Sequence, residues 1–236
     1  MIISALRVLS VVLITFLASS GMMLVFAVNH SERVYFSLVK SYFRLVLAVC
    51  GIRVEVQGAE RINPSQNYVF VANHASLFDI PAVVVGIPSD VRLIYKKELE
   101  RIPFIGWAMY MGRTYIAINR GQKQEAMRNM EEAARTIARG SSVLVFGEGT
   151  RTTDGRMQPF KRGPFRLAVQ AGIPVVPLTI NGSFRILRKG SLRPRPGSIG
   201  LVVDNPIIPP GANGKDSELQ LRDQVRETIE RNYREY

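Results

Sequence analysis

Residues 68–79 read Tyr68-Val69-Phe70-Val71-Ala72-Asn73-His74-Ala75-Ser76-Leu77-Phe78-Asp79. The run Tyr68–Ala72 has the β-branched and aromatic composition of a strand. It stops at an Asn-His pair, and Pro81 just beyond Asp79 suits an early helical position. Strand, loop and helix in that order is the repeating unit of an α/β layer structure.

Similar runs recur at Arg53–Val56, Val91–Tyr95, Thr114–Ile118, Ser142–Phe146, Val175–Ile180 and Ile199–Val203. Helical patterns lie between several of them. Gln122 to Arg139 carries Met127, Met130, Ala134 and Ile137 on one stripe, pairs Glu131 with Arg135 and stops at Gly140. A tail helix is expected to open with a capping box at Ser217-x-x-Gln220 and to bury Leu221, Val225 and Ile229. The alternation predicts an α/β fold, a mixed, mostly parallel sheet flanked by helices.

The first fifty residues differ from this body. Val8 to Asn29 is 22 residues without a charge. A helix of that length covers about 33 Å, close to the hydrocarbon thickness of a bilayer. A cleavable signal, a full span and a helix that dips and returns all fit it. Arg7 is a thin basic start and Ala18-Ser19-Ser20 a passable cleavage site, but the apolar run continues past it through Phe26. In the next segment, Arg33, Ser37, Lys40, Ser41 and Arg44 fall within an arc of about 100°. The rest of that wheel is apolar, which suits a helix lying in a membrane interface. The competing reading is a core helix with exposed cations. Residues 1–52 are therefore expected to form a membrane-associated helical hairpin, and residues 53–236 the α/β domain. Positive charge lies mostly downstream of the first segment, which favours the cytoplasmic face for that domain. Cys50 reads as packing rather than as a nucleophile, and His30 as interfacial.

The chain has 236 residues, 47% of them hydrophobic, and a formal charge of +12. Such apolar content excludes a disordered chain. One cysteine excludes a disulfide framework, and two histidines leave little for a His-built metal centre. The charge implies an anionic partner, whether nucleic acid, membrane surface or phosphorylated substrate.

Walker A, His-Glu-x-x-His and Gly-x-Ser-x-Gly patterns are absent, and Gly147-Glu148-Gly149 lacks the third glycine of a dinucleotide fingerprint. Candidate chemistry stands instead at strand ends, after Ala72 and after Phe146, where ligands collect in α/β sheets. His74 and Asp79, five residues apart, would lie about 140° apart on one helix. They meet only if His74 precedes the helix and Asp79 sits in its first turns. There Asp79 would orient the imidazole and raise its basicity, making a general base that needs no protein nucleophile. Spacing alone also allows a surface histidine and a helix-start aspartate that never touch.

Taken together, the motifs resemble the 1-acyl-glycerol-3-phosphate acyltransferase family of glycerolipid acyltransferases. Asn73-His74-Ala75-Ser76-Leu77-Phe78-Asp79 corresponds to the first motif. Lys97-Glu98-Leu99, Pro103 and Gly106, running on to Ile118-Asn119-Arg120, correspond to the second. Phe146-Gly147-Glu148-Gly149-Thr150-Arg151 with Phe160-Lys161-x-Gly163 corresponds to the third, and Ile173-Pro174-Val175-Val176-Pro177-Leu178 to the fourth. Two positions depart from the family pattern: Gly147 stands where proline is usual and Asn119 where aspartate is usual.

The resemblance implies acyl transfer from acyl-CoA or acyl-carrier protein to the sn-2 hydroxyl of lysophosphatidic acid, giving phosphatidic acid. His74 would be the base and Asp79 its orienting partner. Glu148, Gly149 and Thr150 would shape the acceptor pocket, and Arg120, Arg151 and Lys161 would grip the phosphate. The last assignment has physical support, since a dianion needs converging donors and arginine can be bidentate. No metal or cofactor is implied beyond the acyl thioester co-substrate; the partners are the bilayer, the lysolipid and the donor. A basic cluster at Arg185, Arg188, Lys189, Arg193 and Arg195 would hold a membrane, donor phosphates or an acidic carrier, or simply be solvated. An alternative acceptor is a lyso-ornithine lipid. A basic membrane-anchored lipid- or nucleic-acid-binding protein is the alternative of another class. Nucleic-acid binding predicts aromatic residues interleaved with the cations, whereas Arg185–Arg195 has only Phe184 beside it.

Overall fold

The computed structural model describes residues 2–112, 116–118, 134, 137, 140–211 and 214–234. Each apolar run becomes a strand of one seven-stranded sheet: β1 (Ile52–Gln57), β2 (Val69–Ala72), β3 (Val91–Lys96), β4 (Ile116–Ile118), β5 (Ser142–Phe146), β6 (Val175–Asn181) and β7 (Gly197–Val203). The order is β1-β7-β6-β2-β5-β3-β4, and among the described residues β6–β7 is the one antiparallel pair of these strands. The sheet is therefore mixed and mostly parallel. Thr114, expected in β4, and most of the expected helix from Gln122 to Arg139 lie outside the described residues. Ala134 and Ile137 of that stretch are helical and buried.

β2 lies between β5 and β6, with Ala72 opposite Phe146 on one side and Leu178 on the other. All four of its residues are buried. Phe70 and Ala72 enter one apolar cluster and Val69 and Val71 a second, as the two-residue alternation of a strand requires. The second cluster also contains Phe165 and Leu167 from α5 (Gly163–Ala171) and Leu221, Val225 and Ile229 from α7 (Lys215–Asn232). On the first side lies α3 (Asp79–Gly86), which contributes Ala82, Val83 and Val84. Between β6 and β7 runs a single helical turn, α6 (Ser183–Ile186).

α7 begins two residues before the expected capping box. It starts after Gly214, and Ser217 is buried inside the helix. Asp216 and Glu218 supply negative charge to the positive helix end, and the Glu218 N–H donates to Gly214 O at 3.2 Å. Those contacts open the helix without a serine cap.

α1 (Ile2–Val28) and α2 (Glu32–Cys50) form an N-terminal hairpin, joined by a 2.8 Å hydrogen bond between Thr15 Oγ1 and Tyr42 Oη. Residues Ile3–Val28 are long and apolar enough to cross a membrane. Leu6, Leu9, Val12, Leu13, Leu17 and Leu24 are each more than half exposed, an apolar surface that water solvates poorly. α4 (Ile105–Gly112) packs against α1, with Phe16 edge-on to Phe104 at 4.5 Å.

α2 packs against the body of the fold. Its apolar face, with Tyr35, Val39, Val46, Leu47 and Cys50, belongs to the same buried cluster as Phe70, Leu178 and Ile180. Arg33, Ser37, Ser41 and Arg44 face outward. Lys40 pairs with Asp90 at 2.9 Å, and Glu32 with Arg92 at 2.7 Å. An apolar wheel needs a cover of either kind, and here the sheet and α3 provide it. Burial raises the Cys50 thiol above its ordinary pKa, against a smaller opposing effect of Arg7, so the thiol stays unreactive. Gly51 ends α2 in the left-handed region, and its N–H bonds the Leu47 and Ala48 carbonyls.

Candidate active site

The parallel neighbours β2 and β5 end side by side, so the residues that follow them share one edge of the sheet. His74 stands in the loop after β2, and Asp79 is the first residue of α3. His74 Nδ1 and Asp79 Oδ2 are 2.7 Å apart. The same carboxylate oxygen accepts the N–H of Ala75 at 2.7 Å and of Ser76 at 2.8 Å. Three donors on one oxygen hold Asp79, which is fully buried, in a single position. The aspartate in turn directs Nδ1 inward and leaves Nε2 as the nitrogen available to a substrate.

The β5 side completes the arrangement. The Phe146 ring stacks on the imidazole, with centroids 3.7 Å apart and planes at 13°. Glu148, 2% exposed, accepts the His74 N–H on Oε1 at 2.6 Å and the Gln158 N–H on Oε2 at 2.8 Å. Burial pushes its carboxyl up to about 7; the two N–H donors oppose this, and Asp79 adds a smaller push upward. The His74 carbonyl accepts the Thr152 N–H at 2.9 Å. The loop bearing the histidine is thus bonded on both sides of its backbone to the loop after β5. Glu148 shapes the site by holding that backbone, with both carboxylate oxygens already engaged.

Gly147 has a specific reason to differ from proline. Its N–H donates to Ala72 O at 2.9 Å, continuing the β2–β5 ladder, and a Cβ there would lie 2.6 Å from the Phe160 ring. Phe160 occupies the space that a side chain at 147 would need. Gly149 has φ +70, and its N–H closes a turn onto Phe146 O at 3.0 Å. Thr150 is exposed and Arg151 half-buried, immediately after this turn. The Lys161 side chain crosses Gly149, with Cδ 3.1 Å from where a Cβ would stand. His74, Asp79, Glu148, Gly149, Thr150, Arg151 and Lys161 are accordingly gathered at the ends of β2 and β5. Arg120 and Asn119 lie outside the described residues.

Several residues of the site were not singled out from the sequence. Phe146 ends a strand and opens the third motif, but the sequence assigns it no role beside the histidine. Asn73 exchanges two hydrogen bonds with the Ile180 backbone, 2.9 and 2.8 Å, and so ties the loop to β6. Ser76 Oγ donates to Leu187 O at 3.0 Å. Both bonds reach segments more than 100 positions away, and no local signal announces them.

Comparison with known proteins agrees with the motifs. A family model described as Acyltransferase matches residues 53–181, more than half of the chain. A 1-acyl-sn-glycerol-3-phosphate acyltransferase of Cocos nucifera is 33% identical over 165 residues, which are 70% of this chain and 53% of that protein. The 1-acyl-sn-glycerol-3-phosphate acyltransferase alpha of Homo sapiens is 37% identical over 186 residues, 78% of this chain and 65% of that protein. The chain thus spans between about half and two thirds of the length of these relatives. The crystal structure of the 1-acyl-sn-glycerophosphate (LPA) acyltransferase PlsC from Thermotoga maritima superposes with a TM-score of 0.74 at 26% identity, covering 96% of this chain and 95% of that one. With its fold, the order of its motifs and the match over residues 53–181, this chain belongs to the acyltransferase family.

Proposed function

We propose that the protein transfers a fatty acyl group from an acyl thioester to the sn-2 hydroxyl of 1-acyl-glycerol-3-phosphate, giving phosphatidic acid. The observation that carries this reading is the 2.7 Å His74–Asp79 pair, held against the loop of Glu148 and Arg151 at the ends of β2 and β5. Relatives bearing the 1-acyl-sn-glycerol-3-phosphate acyltransferase name support it.

In this reading His74 Nε2 takes the proton of the acceptor hydroxyl as its oxygen attacks the thioester carbonyl. The C–O bond forms, the tetrahedral intermediate collapses, and the C–S bond breaks. The imidazolium then returns its proton to the departing thiolate. Asp79 fixes the tautomer and stabilises the transient cation. Atoms and protons balance with acyl-CoA or acyl-carrier protein as co-substrate, so the reaction as written needs no metal or further cofactor. Arg151 and Lys161 hold the acceptor phosphate, and Arg120, by the family resemblance, joins them. Glu148, Gly149 and Thr150 set the shape of the pocket beside the base. The apolar surface of α1 keeps the enzyme at the bilayer where its lipid substrate resides. The charge distribution favours the cytoplasmic face.

The test is incubation of purified protein with one labelled acyl donor and a panel of lysolipids. Labelled phosphatidic acid from lysophosphatidic acid is expected. Labelling of a lyso-ornithine lipid in its place, or of no lipid, would overturn the proposed acceptor.

A further inference from the structure

Three cations lie around the turn after β5, and one comes from a part of the chain with no motif. Lys189 Nζ donates to Thr150 Oγ1 and to the Arg151 carbonyl, both at 3.3 Å. Lys161 crosses the neighbouring Gly149, its Nζ 3.5 Å from where a Cβ would stand. Arg151 itself is the third cation.

Lys189 is exposed, but the chain that carries it is anchored. Leu187, two residues earlier, is buried, and its carbonyl accepts the Ser76 hydroxyl at 3.0 Å. Ile186 O accepts the Arg195 N–H at 2.9 Å. The lysine therefore stems from a segment bonded directly to the catalytic loop. Its neighbour Arg188 is turned onto the Phe184 ring, 5.2 Å away, which separates the two cations by role.

Both partners of Lys189 are neutral oxygens. Among the described residues, Lys189, Lys161 and Arg151 have no carboxylate within ion-pair distance. Lys189 Nζ and Lys161 Nζ both approach the turn that carries Arg151, and a dianion arriving there would accept charge-assisted hydrogen bonds. The only carboxylate in that turn, Glu148, is occupied by two backbone N–H groups.

We propose that Lys189 is a phosphate-binding residue of the acyl-transfer site, completing a three-cation cradle with Arg151 and Lys161. The inference rests on the function proposed above. Its ligand chemistry is a phosphate ester, supplied by the headgroup of the acceptor or by the phosphates of a coenzyme A or carrier thioester.

The experiment uses the full chain in detergent micelles, with Lys189→Gln and Lys189→Arg. The glutamine keeps much of the reach and one donor group but not the charge. With lysophosphatidic acid varied at saturating acyl-CoA, Lys189→Gln is expected to raise the acceptor KM about tenfold while kcat stays within about twofold, as loss of one charged hydrogen bond implies. Lys189→Arg is expected to retain most of the affinity. A raised KM for acyl-CoA instead upholds the cradle and assigns its phosphate to the donor. Both KM values unchanged would overturn the proposal. If the unmodified protein turns over no lysolipid, the proposed function has failed, and equilibrium binding of glycerol 3-phosphate becomes the readout for Lys189. Weaker binding to Lys189→Gln than to the unmodified protein then upholds the cradle; equal or absent binding overturns it.

Discussion

The backbone N–H of His74 donates to Glu148 Oε1 at 2.6 Å, so the first motif is held in place by the third. The histidine is positioned twice. Asp79 fixes its ring and Glu148 fixes its backbone.

Replacing His74 by alanine is expected to lower kcat for acyl transfer by about 10³-fold or more, since general-base catalysis contributes roughly 10²–10⁴-fold. Asp79→Asn should lose turnover as well, because the orienting acceptor is altered while its volume is kept. Circular dichroism and detergent-micelle assays on both variants check this, and undiminished turnover in His74→Ala would remove the histidine from the base role.

Glu148 gives a pH signature. Its folded-state pKa of about 7 lies above its ordinary value of 4.5. The folded protein therefore keeps a proton through that window which the unfolded chain releases. The contribution is complete below the unfolded value and is lost as pH rises through about 7. Glu148→Gln lacks this titration. Between pH 4.5 and 7 the unmodified protein should lose stability relative to the variant, seen as a converging or crossing pair of urea midpoints. Parallel midpoints across that range would contradict the assignment.

Gly147→Pro would restore the residue usual in the family, yet it should damage this protein. The substitution deletes the N–H donated to Ala72 O and drives a ring into Phe160. A cost of about 3 kcal/mol is expected, read as a lower unfolding midpoint. Pairing it with Phe160→Ala should recover only the steric part.

Arg151→Ala is expected to raise the acceptor KM by about 10- to 100-fold, the loss of a charge-assisted contact, with the donor KM little changed. Steady-state kinetics with each substrate varied in turn provides the check. An unchanged acceptor KM would place Arg151 outside phosphate binding.

The two N-terminal helices should separate in a truncation series. Deleting residues 1–30 removes the exposed apolar helix and should reduce sedimentation with membranes while leaving the body folded. Deleting residues 1–52 also removes Tyr35, Val39, Val46, Leu47 and Cys50 from the core. At about 1.5–3 kcal/mol for each fully buried large side chain, that shorter chain should aggregate. Equal solubility of both truncations would show that α2 is dispensable to the body.

Much of this protein was legible from residues alone. The seven strands, the loop that ends at Asp79 and the apolar first helix follow from local composition, because a strand's alternation and a helix's hydropathy are written in neighbouring positions. The restriction that His74 must precede the helix bearing Asp79 also came from spacing, and the structure has that geometry. What α2 covers did not follow. An amphipathic helix has the same wheel against lipid as against a sheet, and the tertiary packing supplied the sheet. The tie from Glu148 to the His74 backbone and the placing of Lys189 at Thr150 likewise depended on the order of the strands. Each joins segments distant in sequence, and only the parallel pairing of β2 with β5 and β6 brings their ends together.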